Sequence, residues 1–513
     1  MLTTLAAPAF AGTWCIENGD ITVKAGETGN NVTQNNVTTE NDPDTIITNQ
    51  NKDTASSNTV TIDVGSDKVE VTLQDVNIKA DSGSALTSKG DVTLTLKGEN
   101  HLTGGNGSGN SSDGSGISSR GSLTITGGET DSLTAKGGSG EKGGDGIYSS
   151  ERVAISGGTV TATGGDSTGS DGSGGYGIYS SGITISGGTV TANGGSGKDG
   201  SGDGIFSFDP VAISGGTVNA TGGSGEDGGD GIRSFDPVTI SGGTVTAKGG
   251  SGEDGSGGRG IYSIKSVTIS GGTVTANGGD GKNGSGGSGI FSLGRVAISG
   301  STVNAAGGSS SRNGGSGIYS SGIDLSGSLE LTAKAGKGTQ SNGKALSQNG
   351  KELNLDTIKD KLGPGAKVTA TDADGKVIAQ VPIPRPVEPE GPVIPEESSS
   401  SSGGGSAAPS APAFSLPGLT VTDKSGAVID SISTQSGNTL TVCVGRLTAS
   451  FRISLAALRP LRAEGIETIT FQTVLCSTTL SLDELLAMGG EDAEIVLTHH
   501  IRSSTLTVGG KAV

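Results

Sequence analysis

Short runs of alternating apolar and polar residues follow one another through most of this chain. Ile147 and Ser149 share one side of such a run, and Tyr148 takes the other side. Val153 and Ile155 pair in the same way in the next run. Because successive side chains of a β-strand point to opposite faces, this period of two predicts short strands.

One unit recurs down the middle of the chain. It reads Gly-Ile-Tyr-Ser, a few residues, Val-x-Ile-Ser-Gly-Gly-Thr-Val-Thr-Ala, and then a loop of Gly, Ser and Asp. Its Ile-Ser-Gly-Gly core, in variant form at the last position, begins at Ile155, Ile185, Ile213, Ile240, Ile269 and Ile298. Intervals of 27 to 30 residues without a helical pattern predict a solenoid of stacked coils.

The bends within each coil are marked by glycine. Gly157 and Gly158 separate the second strand of a coil from the third, since glycine turns tightly without steric penalty. Each coil then has three short strands, and stacking places Ile over Ile and Val over Val. We therefore predict an all-β fold, a right-handed three-faced parallel β-helix, with a handedness that follows from the general rule for parallel crossovers.

Changes in composition divide the chain into segments. Residues 1–11 look like the end of a secretory signal, because Ala9-Phe10-Ala11 fits the small-x-small cleavage rule. The other expected segments are a cap or irregular first coil at 12–60, the β-helix at 61–365, a β-hairpin at 366–381, a Pro/Ser/Gly-rich linker at 382–412 and a small α+β domain at 413–513. In that last domain, Ser481 is expected to cap a helix, with Glu484 as its partner.

Composition and charge limit the partners of the chain. The 513 residues include 96 Gly and have a formal net charge of −18, which argues against nucleic acid and anionic membrane surfaces. No stretch is long and apolar enough for membrane insertion. The three Cys do not make a disulfide framework, although Cys443 and Cys476 would be able to pair in an oxidising compartment.

The residue after the repeated Ile forms a row of rings. Its members are Tyr148, Tyr179, Phe206, Arg233, Tyr262, Phe291 and Tyr319. By alternation these side chains point away from the core, and an outward row of rings with an Arg suits stacking on a polysaccharide. The other interpretation is that the rings stack on one another or lie under the neighbouring loop.

A second row is acidic. Asp145, Asp203 and Asp230 occupy one equivalent place in their coils, and the neighbouring loops add Asp199, Asp227 and Asp254. Carboxylates that lie one coil apart repel each other unless a cation or a solvated loop separates them. Because Ca²⁺ takes six to eight oxygen ligands, the row predicts either a calcium site or a solvated acidic surface.

The coil residues resemble a known family, the secreted carbohydrate-binding β-helix proteins of anaerobic bacteria, which are related in shape to pectate lyases. The resemblance covers roughly residues 60–350 and includes the segments 94–100, 144–147 and 153–160. It implies binding of plant polysaccharides, including acidic ones, together with calcium. The Asp-Gly-Ile element of the family maps onto Asp145, Asp203 and Asp230, whereas Tyr176, Arg259 and Ser288 stand at that place in other coils.

We therefore expect an extracellular, non-catalytic polysaccharide-binding protein, assisted by calcium, with plant-type or acidic glycans as ligands. It would be secreted or lie at the bacterial cell surface, where the C-terminal domain would contact a partner. One alternative is a structural or adhesive protein that acts as a rigid spacer. A second is a polysaccharide lyase, for which Arg233 near Asp230 is the candidate base, but near-identical coils favour many weak equal contacts over one catalytic site.

Overall fold

The computed structural model describes residues 12–381, except 66–67, 107–113, 171 and 364, and residues 419–512, except 424–427, 430, 437, 445–447, 464, 474–476, 491–492, 500–503 and 510. The chain divides into two units, Met1–Gly391 and Pro392–Val513. The predicted signal segment and the predicted linker lie outside the described residues.

The first unit consists of three sheets whose strands follow one another coil by coil. Sheet A contains Thr13–Cys15, Thr45–Thr48, Lys68–Gln74, Asp91–Lys97, Leu123–Gly127, Arg152–Ile155, Gly182–Ile185, Val211–Ile213, Val238–Ile240, Val267–Ile269, Arg295–Ser299 and Gly322–Ser326. Sheet B contains Ile21–Ala25, Val60–Ile62, Leu86–Ser88, Ile117–Ser119, Ile147–Ser149, Ile178–Ser180, Ile205–Ser207, Ile232–Ser234, Ile261–Ser263, Ile290–Ser292, Ile318–Ser320 and Leu346–Gln348, with three antiparallel end strands given below. Sheet C contains Asn77–Lys79, Glu99–Thr103, Ser132–Lys136, Thr159–Thr163, Thr189–Asn193, Thr217–Thr221, Thr244–Lys248, Thr273–Asn277, Thr302–Ala306, Glu330–Lys334 and Lys367–Thr371, with one antiparallel end strand.

The pairing register stacks like on like. Ile178 lies beside Ile205, and Ile205 lies beside Ile232 in the next coil. Val218 lies beside Val245 on sheet C in the same way. All of these pairings are parallel, so the predicted parallel β-helix with three faces is confirmed.

The interior of the solenoid is a column of small and branched side chains. Ile147, Val153 and Val160 are fully buried, as the alternation predicts. Most strands of sheet B end in a buried Ser whose hydroxyl binds a backbone carbonyl; for example, Ser207 Oγ donates to the carbonyl of Asp209 at 2.7 Å. Burial of a hydroxyl in a narrow core is tolerated because it is hydrogen-bonded.

The repeated Gly-Gly turn needs glycine for its backbone conformation. Gly216 has φ of +76°, in the left-handed region that other residues rarely adopt. A Cβ on Gly216 would also lie 2.5 Å from the carbonyl oxygen of Gly188 in the preceding coil. The turn therefore depends on glycine for both its dihedral angle and the close approach of stacked coils.

Residues 12–60, for which we predicted a cap or an irregular first coil, contribute strands to sheets A and B. Thr13–Cys15 pairs in parallel with Thr45–Thr48, and Ile21–Ala25 pairs in parallel with Val60–Ile62. The antiparallel end strands are Asn30–Gln34, Val37–Asp42 and Lys351–Glu352 on sheet B and Val377–Val381 on sheet C. Short 3₁₀-helices span Ile16–Asn18, Leu355–Thr357 and Lys359–Lys361. The antiparallel strands cover both ends of sheet B and one end of sheet C.

The second unit has two sheets and two helices. Sheet D contains Thr420–Thr422, Ala449–Ser454, Glu494–His499, Ser504–Val508 and Lys511–Ala512, and sheet E contains Ile432–Ser436, Thr439–Cys443, Thr468–Gln472 and Ser477–Ser481. Helix α1 spans Leu455–Ala463 and helix α2 spans Leu482–Ala487. Ser481 caps α2 as predicted, since its hydroxyl accepts a hydrogen bond from the Glu484 amide.

The remaining predictions for this unit concern its thiols. Cys443 is a free thiol, and Cys476 lies outside the described residues.

None of the helices in the described parts of the chain has the length and hydropathy needed to cross a membrane.

Candidate functional site

The seven predicted members of the ring row lie side by side on the outer surface of sheet B. Tyr262 and Phe291 meet at an interplanar angle of 62°, but the other adjacent rings stack nearly in parallel. The centroids of Tyr148 and Tyr179 are 5.2 Å apart, and those of Tyr179 and Phe206 are 5.1 Å apart. Phe291 and Tyr319 stack at 4.8 Å. The rings therefore cover one another's faces, which was the alternative interpretation of the row, and they present mainly their edges to solvent.

Phe206 belongs to the outward row but is covered by neighbouring side chains. Its side chain points away from the core but is only 5% exposed. Tyr176 packs against it at a centroid distance of 5.1 Å, and Phe208 and Phe235 pack edge-on at 5.0 and 5.5 Å. Phe206 therefore anchors a local aromatic cluster and offers no free ring face.

Two arginines complete the row where rings are missing or tilted. The Arg233 guanidinium lies 5.6 Å from the centroid of Phe206 and 5.5 Å from that of Tyr262. The Arg259 guanidinium lies 4.6 Å from the centroids of both Tyr262 and Phe291. A cation over a ring face is attracted by its quadrupole, so these contacts hold both guanidinium groups in place.

The two ends of the row differ from its middle. Tyr148 lies beside Ser118 of the preceding coil, and Tyr319 lies beside Ser347 of the following coil. A serine side chain is too small to cover an aromatic face. One face of each terminal ring therefore has no ring stacked on it, and a sugar would need such a free face for stacking.

The buried acidic row joins successive coils. Asp145 Oδ1 accepts a hydrogen bond from the Tyr176 amide at 2.8 Å. Asp203 Oδ1 accepts from the Asp230 amide, and Asp230 Oδ1 accepts from the Arg259 amide, both at 2.6 Å. Each of these three carboxyl groups thus binds the backbone of the next coil at the equivalent place.

Burial changes the charge of this row. It raises the pKa of Asp145 to about 8 and that of Asp203 to about 8, and it raises the pKa of Asp230 as well. Arg259 Nη1 lies 3.7 Å from Asp230 Oδ1 and lowers the pKa of that carboxyl, but burial outweighs this effect. Protonation and the nearby arginines reduce the repulsion that the sequence pattern suggested.

Two of the six predicted calcium ligands, Asp203 and Asp230, are poorly placed to bind a calcium ion. Within the described residues no three His, Cys, Asp or Glu side chains come together in a way that would hold a metal. Asp203 and Asp230 each use one oxygen on a backbone amide and have a guanidinium beside them. Since Ca²⁺ needs six to eight oxygens and is repelled by a neighbouring cation, calcium remains an implication of the resemblance alone.

The coils that contain Asp203 and Asp230 form a cleft of about 440 Å³, which we call the Asp–Arg cleft. Its charged side chains are Asp199, Asp203, Asp227, Asp230, Arg233 and Arg259, with Gly and Ser residues between them. Four of the six predicted metal ligands and one member of the ring row therefore meet there. Asp254 lines a separate cleft of about 510 Å³ with exposed loop residues, and Asp145 lines neither of these two clefts.

Two buried polar atoms at the Asp–Arg cleft lack a hydrogen-bond partner. Asp203 Oδ2 accepts no hydrogen bond, and Arg233 Nε donates none. The nearest contact between these two side chains is the 4.0 Å distance from Arg233 Nη1 to Asp203 Oδ2. Arg233 Nη1 is thus too far from Asp203 Oδ2 for a hydrogen bond, and both Asp203 Oδ2 and Arg233 Nε remain without one.

Sequence reasoning did not assign a role to four residues of this region, namely Tyr176, Arg259, Phe208 and Phe235. Tyr176 and Arg259 stand where other coils have the Asp of the acidic row, and this departure from the repeat could have indicated a role for them. Phe208 and Phe235 each follow the buried Ser of sheet B, one coil apart, a repeat that an inspection for paired aromatics would have found.

Comparison with known proteins supports the coil assignment. The family model described as Beta helix repeat matches residues 153–178, 183–205, 211–232, 238–261 and 267–289. No curated protein and no solved structure matches the chain. The five matches lie within the stacked parallel coils, so the family model and the structure agree on a β-helix repeat between residues 153 and 289.

Proposed function

We propose that this protein binds polysaccharide outside the cell without cleaving it. The observation behind the proposal is the position of Arg233, which belongs to the ring row and also lines the Asp–Arg cleft. A sugar chain that follows sheet B would meet apolar ring edges and hydrogen-bonding groups on one continuous surface. Glycans are suited to such a surface because they present both C–H faces and hydroxyl groups.

Binding would combine many weak contacts. The open faces of Tyr148 and Tyr319 mark the two ends of the row, and the cleft lies between them along the series of coils. A polymer that engages several of these places gains affinity from effective concentration rather than from one strong contact. Calcium does not enter this proposal, because Asp203 and Asp230 are poorly placed to bind the ion.

We propose a non-catalytic role because of the surroundings of Arg233, the candidate base of the lyase alternative. Arg233 is packed between two rings and has Asp203 beside it. A guanidinium stays protonated at neutral pH and does not accept a proton from a substrate. The lyase alternative therefore has no supporting geometry at the residue that the sequence suggested for it.

A rigid spacer is the second candidate function, and one observation favours it. The stacked rings and the bonds from Asp to backbone amides both stabilise the solenoid without any ligand. In that case the solenoid would act as a rigid spacer, and we propose that the C-terminal unit would contact a cell-surface partner.

A pull-down separates these candidates. The full chain is incubated with insoluble cellulose, with pectin and with polygalacturonate, each with and without a chelator. We expect retention on at least one polymer, and equal retention with chelator. Retention on none of them contradicts the proposal and favours the spacer, whereas release of unsaturated sugars, measured by ultraviolet absorbance, supports the lyase instead. Fractionation of the producing culture tests the extracellular location.

A further inference from the structure

We propose that an apolar row at one corner of the solenoid docks against the same row of a second copy of this chain, with the two solenoids antiparallel. The apolar row lies where each coil passes from sheet B to sheet A, and its members are Phe208, Phe235, Ile264 and Leu293. The inference goes beyond the proposed function and does not depend on it, because it concerns self-association through side chains that the glycan proposal does not use.

The four side chains of the apolar row occupy one equivalent place in consecutive coils. Each follows the buried Ser that ends a strand of sheet B, and its backbone amide donates to the carbonyl of the corresponding Ser in the preceding coil. For Phe235 the acceptor is Ser207, at 3.0 Å. For Leu293 the acceptor is Ser263, at 3.2 Å. The stacked backbone therefore holds these side chains in line along the solenoid.

The apolar row is open to solvent. Phe208 is 41% exposed and Leu293 is 53% exposed, whereas Phe235 and Ile264 are half-buried. In the coils on either side the residue after the buried Ser is polar, namely Ser150, Ser181 and Ser321. A run of exposed apolar residues with polar surroundings is typical of an interaction surface, since it costs free energy to leave it in water.

Charges of opposite sign flank the two halves of the apolar row. Asp209 and Asp236 lie beside the half that contains the two Phe residues, and both are at least partly exposed. Lys265 and Arg295 lie beside the half that contains the two aliphatic residues, and their side chains are 64% and 65% exposed. One half of the row is thus acidic at its border, and the other half is basic.

A two-fold axis between the second and third coils of the row makes this pattern self-complementary. In an antiparallel pair, the acidic half of one copy faces the basic half of the other, so Asp236 lies opposite Lys265 of the second copy. The apolar side chains meet in the same order, so Phe208 lies opposite Leu293 of the second copy. A closed two-fold contact uses one patch on both subunits, and complementary charges fix its orientation.

The charged side chains are available for this contact. Within the chain, Lys265 Nζ lies 3.7 Å from Asp236 Oδ1, and Arg295 pairs with Asp324. Ion pairs at the surface contribute little to stability, because water and salt screen them. Substitution of Asp236 or Lys265 should therefore leave the solenoid folded and change mainly what this surface binds.

The size of the apolar row predicts the strength of the contact. Adjacent strands of a sheet lie about 4.8 Å apart, so the four coils place the first and last members of the row about 14 Å apart. A contact centred on so short a row would bury less than the roughly 1,200 Å² of a standard-size interface. We therefore expect a weak dimer, with a dissociation constant of about 100 µM.

Sedimentation velocity of the full chain, over a concentration series that brackets about 100 µM, tests the inference. Because Cys15 and Cys443 are free thiols, a reducing agent is present throughout. The formal net charge of −18 opposes association, so the buffer contains about 0.15 M salt, at which charges more than about 8 Å apart are largely screened. We expect a monomer at low concentration and a reversible dimer at high concentration.

An exchange of charges tests the antiparallel arrangement. Asp236→Lys alone places the new Lys against Lys265 of the second copy, and Lys265→Asp alone places the new Asp against Asp236 of the second copy. Since like charges that face each other disfavour association, each variant by itself should dimerise at least about tenfold more weakly. In an equimolar mixture of the two variants each Lys again faces an Asp, so dimerisation should return to within about threefold of the original protein.

Leu293→Ser tests the apolar contact, because Ser is the residue at this place in neighbouring coils. The two-fold axis applies each substitution twice, so we expect this variant to dimerise about tenfold to a hundredfold more weakly. Leu293 is 53% exposed in the single chain, and its loss should leave the fold intact. Thermal unfolding confirms that every variant is folded.

Two substitutions outside the row are matched controls. Val37→Ser removes a side chain that is 65% exposed on an antiparallel end strand of sheet B. Lys248→Asp makes the same change of charge as Lys265→Asp, but at an exposed position of sheet C. Both controls should dimerise within about twofold of the original protein, since surface substitutions away from a contact have small effects.

The outcomes are distinct. A dimer that Leu293→Ser and each charge variant weaken, and that the mixture restores, supports the inference. A monomer at every concentration overturns it, and so does a dimer that Leu293→Ser leaves unchanged, because that dimer forms through another surface. If Leu293→Ser weakens the dimer but the charge variants do not, or if their mixture does not restore it, the antiparallel arrangement is overturned. Retention on polysaccharide is measured separately, so the proposed function stands or falls independently of these results.

Discussion

The guanidinium of Arg233 lies 5.6 Å from the centroid of the Phe206 ring, at the coil of the ring row that lacks an aromatic residue. The arginine thus continues the stack of rings and at the same time reaches the Asp–Arg cleft. The aromatic surface and the hydrogen-bonding surface of the solenoid meet at this one side chain. Substitutions in each surface would separate its contribution to polysaccharide binding from its contribution to the stability of the solenoid.

Replacing Tyr148 and Tyr319 together by Ala should weaken polysaccharide retention, because these residues have the open ring faces of the row. We expect a loss of about thirtyfold in affinity in a pull-down, as the two stacking contacts contribute about 1 kcal/mol each. Val37→Ala is the control, since Val37 is 65% exposed on a capping strand outside the row. Unchanged retention of the double variant would show that sugars do not stack at the ends.

Tyr179→Ala should destabilise the solenoid more than Tyr148→Ala does. The Tyr179 ring contacts the rings of Tyr148, Phe206, Tyr176 and Phe208, whereas Tyr148 lies at the end of the row. We expect a loss of about 2–3 kcal/mol for the first variant and about 1 kcal/mol for the second, read from urea denaturation. Equal losses would mean that the stacked rings do not support one another.

Asp145→Asn should stabilise the protein at pH 8 and reduce its dependence on pH. Burial raises the pKa of Asp145 to about 8, so the folded state retains a proton that the unfolded state releases above about pH 4. The stabilisation from this residue is complete below pH 4 and is lost as the pH rises to 8. Each pKa unit corresponds to about 1.4 kcal/mol.

The measurement is the urea midpoint of both proteins between pH 4 and pH 8. The Asn side chain keeps an oxygen for the Tyr176 amide and has no charge to desolvate. The variant should therefore show a flatter curve, with a residual slope from Asp203 and Asp230. A variant with the same slope as the original protein would indicate that Asp145 is ionised in the fold.

Calcium should leave the melting temperature unchanged. A ligand that binds only the folded state raises stability by mass action, but the described carboxyl groups form no cluster that would hold a metal. Thermal unfolding in millimolar calcium and in chelator provides the comparison. A clear rise with calcium would restore the site that the family resemblance implies.

Gly195→Ala should be far more damaging than Gly200→Ala. A Cβ on Gly195 would lie 2.0 Å from the carbonyl oxygen of Gly165, whereas a Cβ on Gly200 would lie 3.2 Å from the flexible Ser173 hydroxyl. We expect a loss of more than about 2 kcal/mol in the first case and less than about 1 kcal/mol in the second, measured by urea denaturation. Similar stabilities would show that the loops move apart readily.

Local pattern was enough to predict the coils. The alternation around Ile147 and Val153 placed the buried and outward positions correctly, and the interval of the repeat predicted parallel stacking. Ser481 was assigned as a helix cap on the same local basis. These features depend on residues that are near one another in the chain, where side-chain direction follows directly from backbone geometry.

Only the tertiary structure decided how the outward residues are used. Phe208 and Phe235 cover Phe206, and Asp203 is buried beside Arg233, because stacking brings residues from different coils to the same place. The spacing of 27 to 30 residues indicates that such residues are neighbours. It does not indicate which rings tilt, which carboxyl groups become buried or where a cleft forms. Those outcomes depend on packing between loops of unequal length, and a repeating sequence pattern does not specify that packing.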